Sequence, residues 1–125
     1  MVDFKNNTSI FKMDEVRRDT FDKTITQFYV RGEETVACYK AFRDYMIFTT
    51  RRIIIVNVQG LSGKKRDYSS IPYSKIQAFS VRTAGMLDID TDVDLAIAGI
   101  GLIHLEFTAG TNVGKLLRII GEDTL

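Results

Sequence analysis

The clearest pattern along the chain is a series of short apolar segments between Thr35 and Thr108, separated by turns. Several segments alternate apolar with polar residues, as Ile103, Leu105 and Phe107 do. Such alternation is typical of β-strands that bury one face. Strands at this close spacing predict an antiparallel sheet curled into a barrel or sandwich. The pattern predicts seven strands, over residues 35–39, 45–49, 53–58, 66–71, 76–83, 92–98 and 103–108.

One predicted strand lacks the alternation. Ile53 to Val56 is an unbroken run of β-branched apolar residues. Such a run is typical of a strand that is buried on both faces or that lies inside a barrel. We expect one of these two surroundings for it.

Helical periodicity follows a polar lead over residues 1–11. From about Met13 to Tyr29, apolar residues recur mostly on one face of a 3.6-residue period. Acid-before-base pairs such as Asp14 with Arg18 also favour a helix. Gly32 is suited to end it. The sequence therefore predicts an N-terminal helix.

A second helix is predicted at the C-terminal end. Val113, Leu116, Leu117 and Ile120 have the i, i+3, i+4, i+7 spacing of a helix that packs against a core. Thr111 or Asn112 can cap its start, and Gly121 can end it. This amphipathic helix would close the open end of the curled sheet.

The chain shows no repeat, low-complexity segment or linker, and it contains a single proline, Pro72. Its 125 residues suit one domain with one core. We expect a single domain over 1–125, mainly β, with an N-terminal extension and helix over 1–31, strands over 33–108 and a capping helix over 111–121.

Composition narrows the function classes. Apolar residues make up 45% and charged residues 26%, close to an average soluble protein. Seventeen basic against sixteen acidic residues give a net charge of +1, which argues against a dedicated nucleic-acid binder. The single cysteine, Cys38, and the absence of a signal-like apolar segment lead us to expect a reduced, cytoplasmic protein. The longest weakly polar stretch, Leu95 to Ile103, is far too short to span a membrane.

Four alternate aspartates suggest a cation site: Asp88, Asp90, Asp92 and Asp94. The EF-hand template needs Gly and Glu at its sixth and twelfth positions, and this chain has Val93 and Gly99 there. Alternation along a strand also produces one solvated acidic face. We therefore predict an acidic face or loop and no metal site.

The remaining reactive groups also favour a binding protein over an enzyme. The loop Gly60 to Arg66 lacks the Walker spacing, so we interpret it as a turn whose bases can meet an anion or acidic partner. His104 alternates with Ile103 and Leu105, so it should face solvent or an interface, with no catalytic set around it. Cys38 is predicted to be structural. The sequence predicts no catalytic residue and no cofactor.

A longer set of residues is more specific than any of these features, and it spans about 50 residues. It consists of Arg43-Asp44, Phe48-Thr49, Arg52, Gln59-Gly60, Gly63-Lys64-Lys65, Tyr68, Ser70-Ile71-Pro72-Tyr73, Ile76, Phe79-Ser80-Val81, Thr83-Ala84-Gly85 and Asp88-Ile89-Asp90. This set resembles the bacterial pleckstrin-homology-like domain family. The chain departs from the family pattern at Val58, where Asp is usual, and at Arg82, where Glu is frequent.

The resemblance implies a seven-stranded antiparallel curved barrel closed by a C-terminal helix, in agreement with the periodicity. Members of the family look like scaffold or binding modules without established enzymatic activity, assembled into cyclic homo-oligomeric rings. We expect a pentamer that presents a hydrophilic surface to an unidentified protein partner. The expected partner-binding residues are Arg52, Gln59, Lys64, Lys65, Arg82, Asp88, Asp90 and Asp92.

The alternative is a module that binds a lipid headgroup or small ligand at a membrane surface. Eukaryotic pleckstrin domains bind phosphoinositides through basic residues in the first hairpin loop. Here that loop, Lys40 to Asp44, has two bases, which weighs against lipid binding.

Overall fold

The computed structural model describes residues 10–18, 22–61, 65–83, 91–108 and 113–124. Eight strands in the described residues form one sheet. The strands are β1 (Ile10–Val16), β2 (Thr35–Ala41), β3 (Asp44–Thr49), β4 (Arg52–Gln59), β5 (Lys65–Pro72), β6 (Ile76–Thr83), β7 (Thr91–Ile97) and β8 (Gly101–Phe107). The helices are α1 (Asp22–Ile25) and α2 (Val113–Thr124). The strand order across the sheet is β5-β4-β3-β2-β1-β8-β7-β6.

The seven strands predicted between Thr35 and Thr108 are all present, and the eighth is the N-terminal strand β1. Its first half pairs in parallel with β8, and its second half pairs antiparallel with β2. It therefore joins the two halves of the sheet. The strand count of seven was too low for this reason.

The predicted N-terminal helix is wrong. Met13, which was to begin it, lies in β1 and is fully buried. The described residues of this region have helical structure at the four residues of α1, in a 3₁₀ turn over Thr26–Phe28 and at Arg18, which is assigned as 3₁₀. Pairing with the edges of β2 and β8 outweighs the helical preference of residues 13–16, and the threonines and aromatics that follow are weak helix formers.

The main core lies inside the curl of the sheet. Tyr39, 0% exposed, packs edge-to-face against Phe48 and Phe107, with ring centroids 5.7 and 5.1 Å away. Leu116 and Ile120 of α2 bury themselves against this core, and α2 also packs beside the 3₁₀ turn Tyr73–Lys75. The predicted capping helix is therefore present. It continues past Gly121, which was expected to end it, to Thr124, while Thr111 and Asn112 lie outside the described residues.

A second apolar layer covers the outer side of the sheet. Ile25 of α1 packs with Cys38, Ile47, Ile54 and Val56 from three central strands. Residues 22–33, which we call the N-terminal segment, thus bury the outer face of β2, β3 and β4. Ile53 and Ile55 face the main core on the other side of the sheet. Of the two surroundings predicted for Ile53 to Val56, the structure shows burial on both faces of the strand.

Candidate functional site

The outer side of β6, β7 and β8 carries a group of charged side chains that contact one another. Along β7 the odd-numbered positions from Thr91 to Ile97 are buried, so Asp92 and Asp94 project outward. Along β8 the buried residues are Ile103, Leu105 and Phe107, so the polar residues between them face outward. We call the outward set the charged face: Arg82, Asp92, Asp94, His104 and Glu106.

Strand register brings these side chains together. Asp92 lies directly opposite both Arg82 on β6 and Glu106 on β8, and Asp94 lies opposite His104. Directly opposed side chains on one face of an antiparallel pair are close enough to interact. Alternation within each strand gives the direction of these side chains, but only the register between strands makes them neighbours.

Arg82 holds the two aspartates from the β6 side. Its Nη1 lies 3.0 Å from Oδ2 of Asp94, and its Nη2 lies 3.9 Å from Oδ2 of Asp92. The Arg82 side chain is 59% exposed, so the pair with Asp92 is a weak, solvated contact. Arg82 is therefore available to other partners.

His104 sits at the centre of the charged face and is only 18% exposed. Its Nδ1 lies 2.5 Å from Oδ1 of Asp94, closer than the 3.3 Å to Nη2 of Arg82. An ionised carboxylate can only accept hydrogen bonds, so Nδ1 carries the hydrogen and donates it to Asp94. Nε2 then faces the other two carboxylates, 3.5 Å from Glu106 Oε1 and 4.0 Å from Asp92 Oδ2.

The structure gathers two of the predicted partner-binding residues, Arg82 and Asp92, on the charged face. Lys65 is exposed at the start of β5 on the other half of the sheet. Gln59 also lies there, donating to Asp67 across 2.5 Å. The predicted residues Lys64, Asp88 and Asp90 fall outside the described residues.

Sequence reasoning placed His104 and Asp94 toward solvent but did not assign them to the site, and it missed Glu106. The available signal was the alternation of residues 103–107, which exposes His104 and Glu106 on the same side. What was missing was the pairing of β8 with β7, which joins them to the aspartates.

Arg52, the remaining predicted residue, is engaged inside the molecule. Its guanidinium Nε and Nη2 donate to the two carboxylate oxygens of Glu33 at 2.9 and 2.8 Å, and Nη1 donates to the Ser70 hydroxyl. Nη2 also donates to the carbonyl of Phe28. Arg52 therefore ties the residues before β2 to β4, and its assignment to partner binding stays a prediction.

The Glu33 carboxylate is fully buried in this contact. Burial alone would raise its pKa, but hydrogen bonds from Arg52, the Thr49 hydroxyl and the Val30 backbone N–H, with the charge of Arg52, outweigh burial and lower the pKa. Glu33 is consequently ionised near neutral pH.

The Cys38 thiol is buried in the outer apolar layer. Burial raises its pKa to about 12, so the thiol is protonated and unreactive at neutral pH. This agrees with the structural role predicted for it.

A different kind of surface lies at the end of the sheet where β2 turns into β3 and β4 turns toward β5. Phe42 is 91% exposed with a positive φ of 57°, and Leu61 is fully exposed. Arg43 ties the two turns together by donating to the Gly60 carbonyl across 2.5 Å. We call Phe42 and Leu61 the apolar tip.

The fold and its sequence relatives identify the family. The model of the family described as bacterial PH domain matches residues 5–123. The chain therefore belongs to the bacterial pleckstrin-homology domain family. Among the described residues, no helix is long and apolar enough to cross a membrane.

Two proteins of Bacillus subtilis (strain 168) are similar in sequence. YjqA is 41% identical over 98 residues, which is 77% of this chain and 78% of that protein. YozO is 31% identical over 105 residues, which is 84% of this chain and 90% of that protein. Both are described as uncharacterized proteins, so their similarity supports the family assignment and indicates no activity.

Two solved structures share the fold. A DUF1696 family protein with a pleckstrin-homology domain from Shewanella loihica PV-4 is 32% identical, with a TM-score of 0.76, over 92% of this chain and 99% of that one. A pleckstrin homology domain from Shewanella amazonensis SB2B is 34% identical, with a TM-score of 0.62, over 90% of this chain and 91% of that one. The family is typically non-catalytic.

Proposed function

We propose that the protein is a non-catalytic protein-interaction module that assembles into a cyclic homo-oligomer, a pentamer, and presents its charged face to a protein partner. The observation that carries the proposal is the position of the charged face beside a sheet edge. Arg82 belongs to β6, which ends the described sheet, and its guanidinium is largely exposed. A contact along this edge would extend the polar surface from one protomer to the next.

The two end strands give the proposal its geometry. β5 and β6 are at opposite ends of the strand order, and each has a neighbour on one side only within the described sheet. Exposed strand edges pair readily with other chains. A contact between the β5 edge of one copy and the β6 edge of the next is heterologous, and it closes a ring when its rotation divides a full turn.

A small exposed residue on β6 permits a clean test of assembly. Ala78 is exposed on this edge strand, and lysine on an edge strand disfavours pairing with another chain. We expect Ala78→Lys to lower the mass measured by light scattering, and the matched control Ala98→Lys, in the exposed β7–β8 turn, to leave it unchanged. Equal masses for the two variants would contradict assembly through this edge.

Charge reversal tests partner binding separately from assembly. Arg82→Glu would add a fourth carboxylate to the charged face, which already has Asp92, Asp94 and Glu106, so proteins captured by the wild type should be lost. The control Arg31→Glu lies in the exposed turn before β2 and should retain them. Lys65→Glu tests the basic loop on the other half of the sheet, where we also expect weaker capture. Unchanged capture by Arg82→Glu and Lys65→Glu would rule out both surfaces.

The apolar tip favours a second candidate, a module that acts at a membrane surface. Phe42 and Leu61 project beside the basic residues Lys40, Lys65 and Arg66 at the same end of the sheet. Apolar side chains can enter the headgroup region while bases attract anionic lipid. Co-sedimentation with anionic vesicles that salt and the double variant Phe42→Ala, Leu61→Ala both abolish would support this candidate. No co-sedimentation of the wild type would exclude it.

A further inference from the structure

We propose that Asp92, His104 and Glu106 bind a divalent transition metal ion of the Zn²⁺ class, with Asp94 as the residue that positions the imidazole. The inference is independent of the proposed partner and ring. It revises the sequence-based expectation of no metal site, which considered the aspartates without His104.

The ligand atoms already lie near coordinating geometry. One ligand atom from each residue lies within 4.8 Å of the other two. Nε2 of His104 is 3.5 Å from Glu106 Oε1 and 4.0 Å from Asp92 Oδ2. Ligands at about 2.1 Å from a tetrahedral zinc are about 3.4 Å apart. Small side-chain rotations of the two carboxylates would therefore close the site.

Asp94 sets the orientation that the metal needs. Its carboxylate accepts a hydrogen bond from the Nδ1–H of His104 at 2.5 Å, which leaves Nε2 directed at Asp92 and Glu106. Metal-binding histidines commonly donate their second ring N–H to a carboxylate, which fixes the tautomer and ring plane. The Nε2 lone pair and the two carboxylates are therefore directed at the same space.

The charge balance of the face also favours a cation. Among the described side chains of this face, the three carboxylates of Asp92, Asp94 and Glu106 are accompanied by one arginine, Arg82, and a partly buried imidazole, while Lys12 of β1 is in register with Glu106. Arg82 contacts Asp92 only at 3.9 Å, so it competes weakly for that ligand. A divalent ion would supply the charge that Arg82 leaves unmatched.

The ligand types indicate the class of metal. One imidazole nitrogen with two carboxylates suits Zn²⁺ and its neighbours Co²⁺ and Ni²⁺, whereas Ca²⁺ and Mg²⁺ prefer oxygen alone. Three protein ligands would leave room for water at the fourth position. The glutamate and aspartate ligands are 35% and 39% exposed, so an ion can reach them from solvent.

The chain itself simplifies the test, because His104 is its single histidine. Its single cysteine, Cys38, is buried, and its pKa is raised to about 12, so it cannot compete as a thiolate. Any imidazole ligation measured on the full chain without an affinity tag must therefore come from His104.

The experiment is titration of the tag-free protein with Zn²⁺ by calorimetry, and with Co²⁺ by visible absorption. We expect one ion per chain, complete loss of Co²⁺–nitrogen absorption in His104→Ala, and 10–100-fold weaker binding in Asp94→Asn. The control Glu122→Gln removes an exposed carboxylate from α2 and should bind as the wild type does. Arg82→Ala should bind at least as tightly, because it removes the competing cation.

A direct readout separates ligation from a change in folding. Nitrogen-15 NMR of the His104 ring should show a Zn²⁺-dependent shift at Nε2 while Nδ1 stays protonated. No binding, unchanged binding in a folded His104→Ala, or half an ion per chain with a doubled mass would each overturn the proposal.

Discussion

Two clusters in this molecule place arginine against carboxylate, and they are built in opposite ways. In the buried cluster, Arg52 grips both oxygens of Glu33, whose side chain is 0% exposed. In the charged face, Arg82 is 59% exposed, and it contacts Asp94 at 3.0 Å and Asp92 at 3.9 Å. The same residue types therefore have different roles. The buried cluster holds the residues before β2 against β4, and the charged face is exposed, where a ligand or partner can reach it.

The difference follows from what surrounds each arginine. The Arg52 side chain is 18% exposed and that of Glu33 is 0% exposed, so their ion pair is mostly shielded from water. The guanidinium also donates to the Ser70 hydroxyl and the Phe28 carbonyl. Arg82 stands on the end strand of the sheet, where water screens its contacts. A conspicuous arginine in the sequence thus does not by itself mark a binding site.

The largest expected effect is on stability. Removing one partner of a buried pair leaves an uncompensated charge, so Arg52→Ala should lower the free energy of unfolding by about 3 kcal/mol or more. Arg82→Ala, the same truncation on the exposed face, should cost less than about 1 kcal/mol. Urea denaturation of the two variants checks this. Equal losses would end the distinction between the clusters.

The buried cluster should also give the protein an acid-sensitive stability. The pKa of Glu33 is lowered in the folded state, so its contribution is complete above the ordinary carboxyl pKa and is lost as pH falls through the lowered value. Glu33→Gln should destabilise the protein near neutral pH, and its deficit should shrink as the pH is lowered through that window. Stability curves that stay parallel in acid would show that Glu33 does not titrate as described.

The reactivity of the Cys38 thiol measures how firmly α1 is held against the sheet. It lies beneath Ile25 of the N-terminal segment, so release of that segment should expose the thiol. If Arg52→Ala costs about 3 kcal/mol, labelling of Cys38 by a chromogenic disulfide should accelerate about 100-fold, since each 1.4 kcal/mol is a factor of ten. Arg82→Ala should label at nearly the wild-type rate. Equally slow labelling in both variants would mean that Arg52 does not hold the segment down.

The smallest expected effect concerns a polar group that neither cluster satisfies. The Tyr39 hydroxyl is buried without a hydrogen-bond partner among the described residues. Tyr39→Phe removes that cost while keeping the ring packed between Phe48 and Phe107. We expect stability to be unchanged or higher by up to about 1 kcal/mol in thermal denaturation. A clear loss would reveal a partner that the hydroxyl needs.

The strands and α2 could be predicted because their signals are local. Alternation at Ile103, Leu105 and Phe107 and the stripe at Leu116 and Ile120 directly reflect which side is buried. The N-terminal strand could not be predicted, because the spacing of Met13 and Val16 is typical of a helix. These residues form a strand because they pair with β2 and β8, and the local sequence does not show that pairing.

Only part of the candidate site could be predicted from the sequence, for a related reason. Asp92 and Arg82 stand out individually, but their contact with His104 depends on pairing between strands. The hydrogen bond from Arg52 to Glu33 joins residues 19 positions apart, and no local sequence pattern predicts it. Partner choice across a sheet is a tertiary property, so it required the structure.

The most direct test of the proposed function is the mass of the intact protein in solution, measured by light scattering after size exclusion across a dilution series. The proposal predicts one species of five chains, each of 14.2 kDa, that persists on dilution. A monomer at every concentration would contradict the ring.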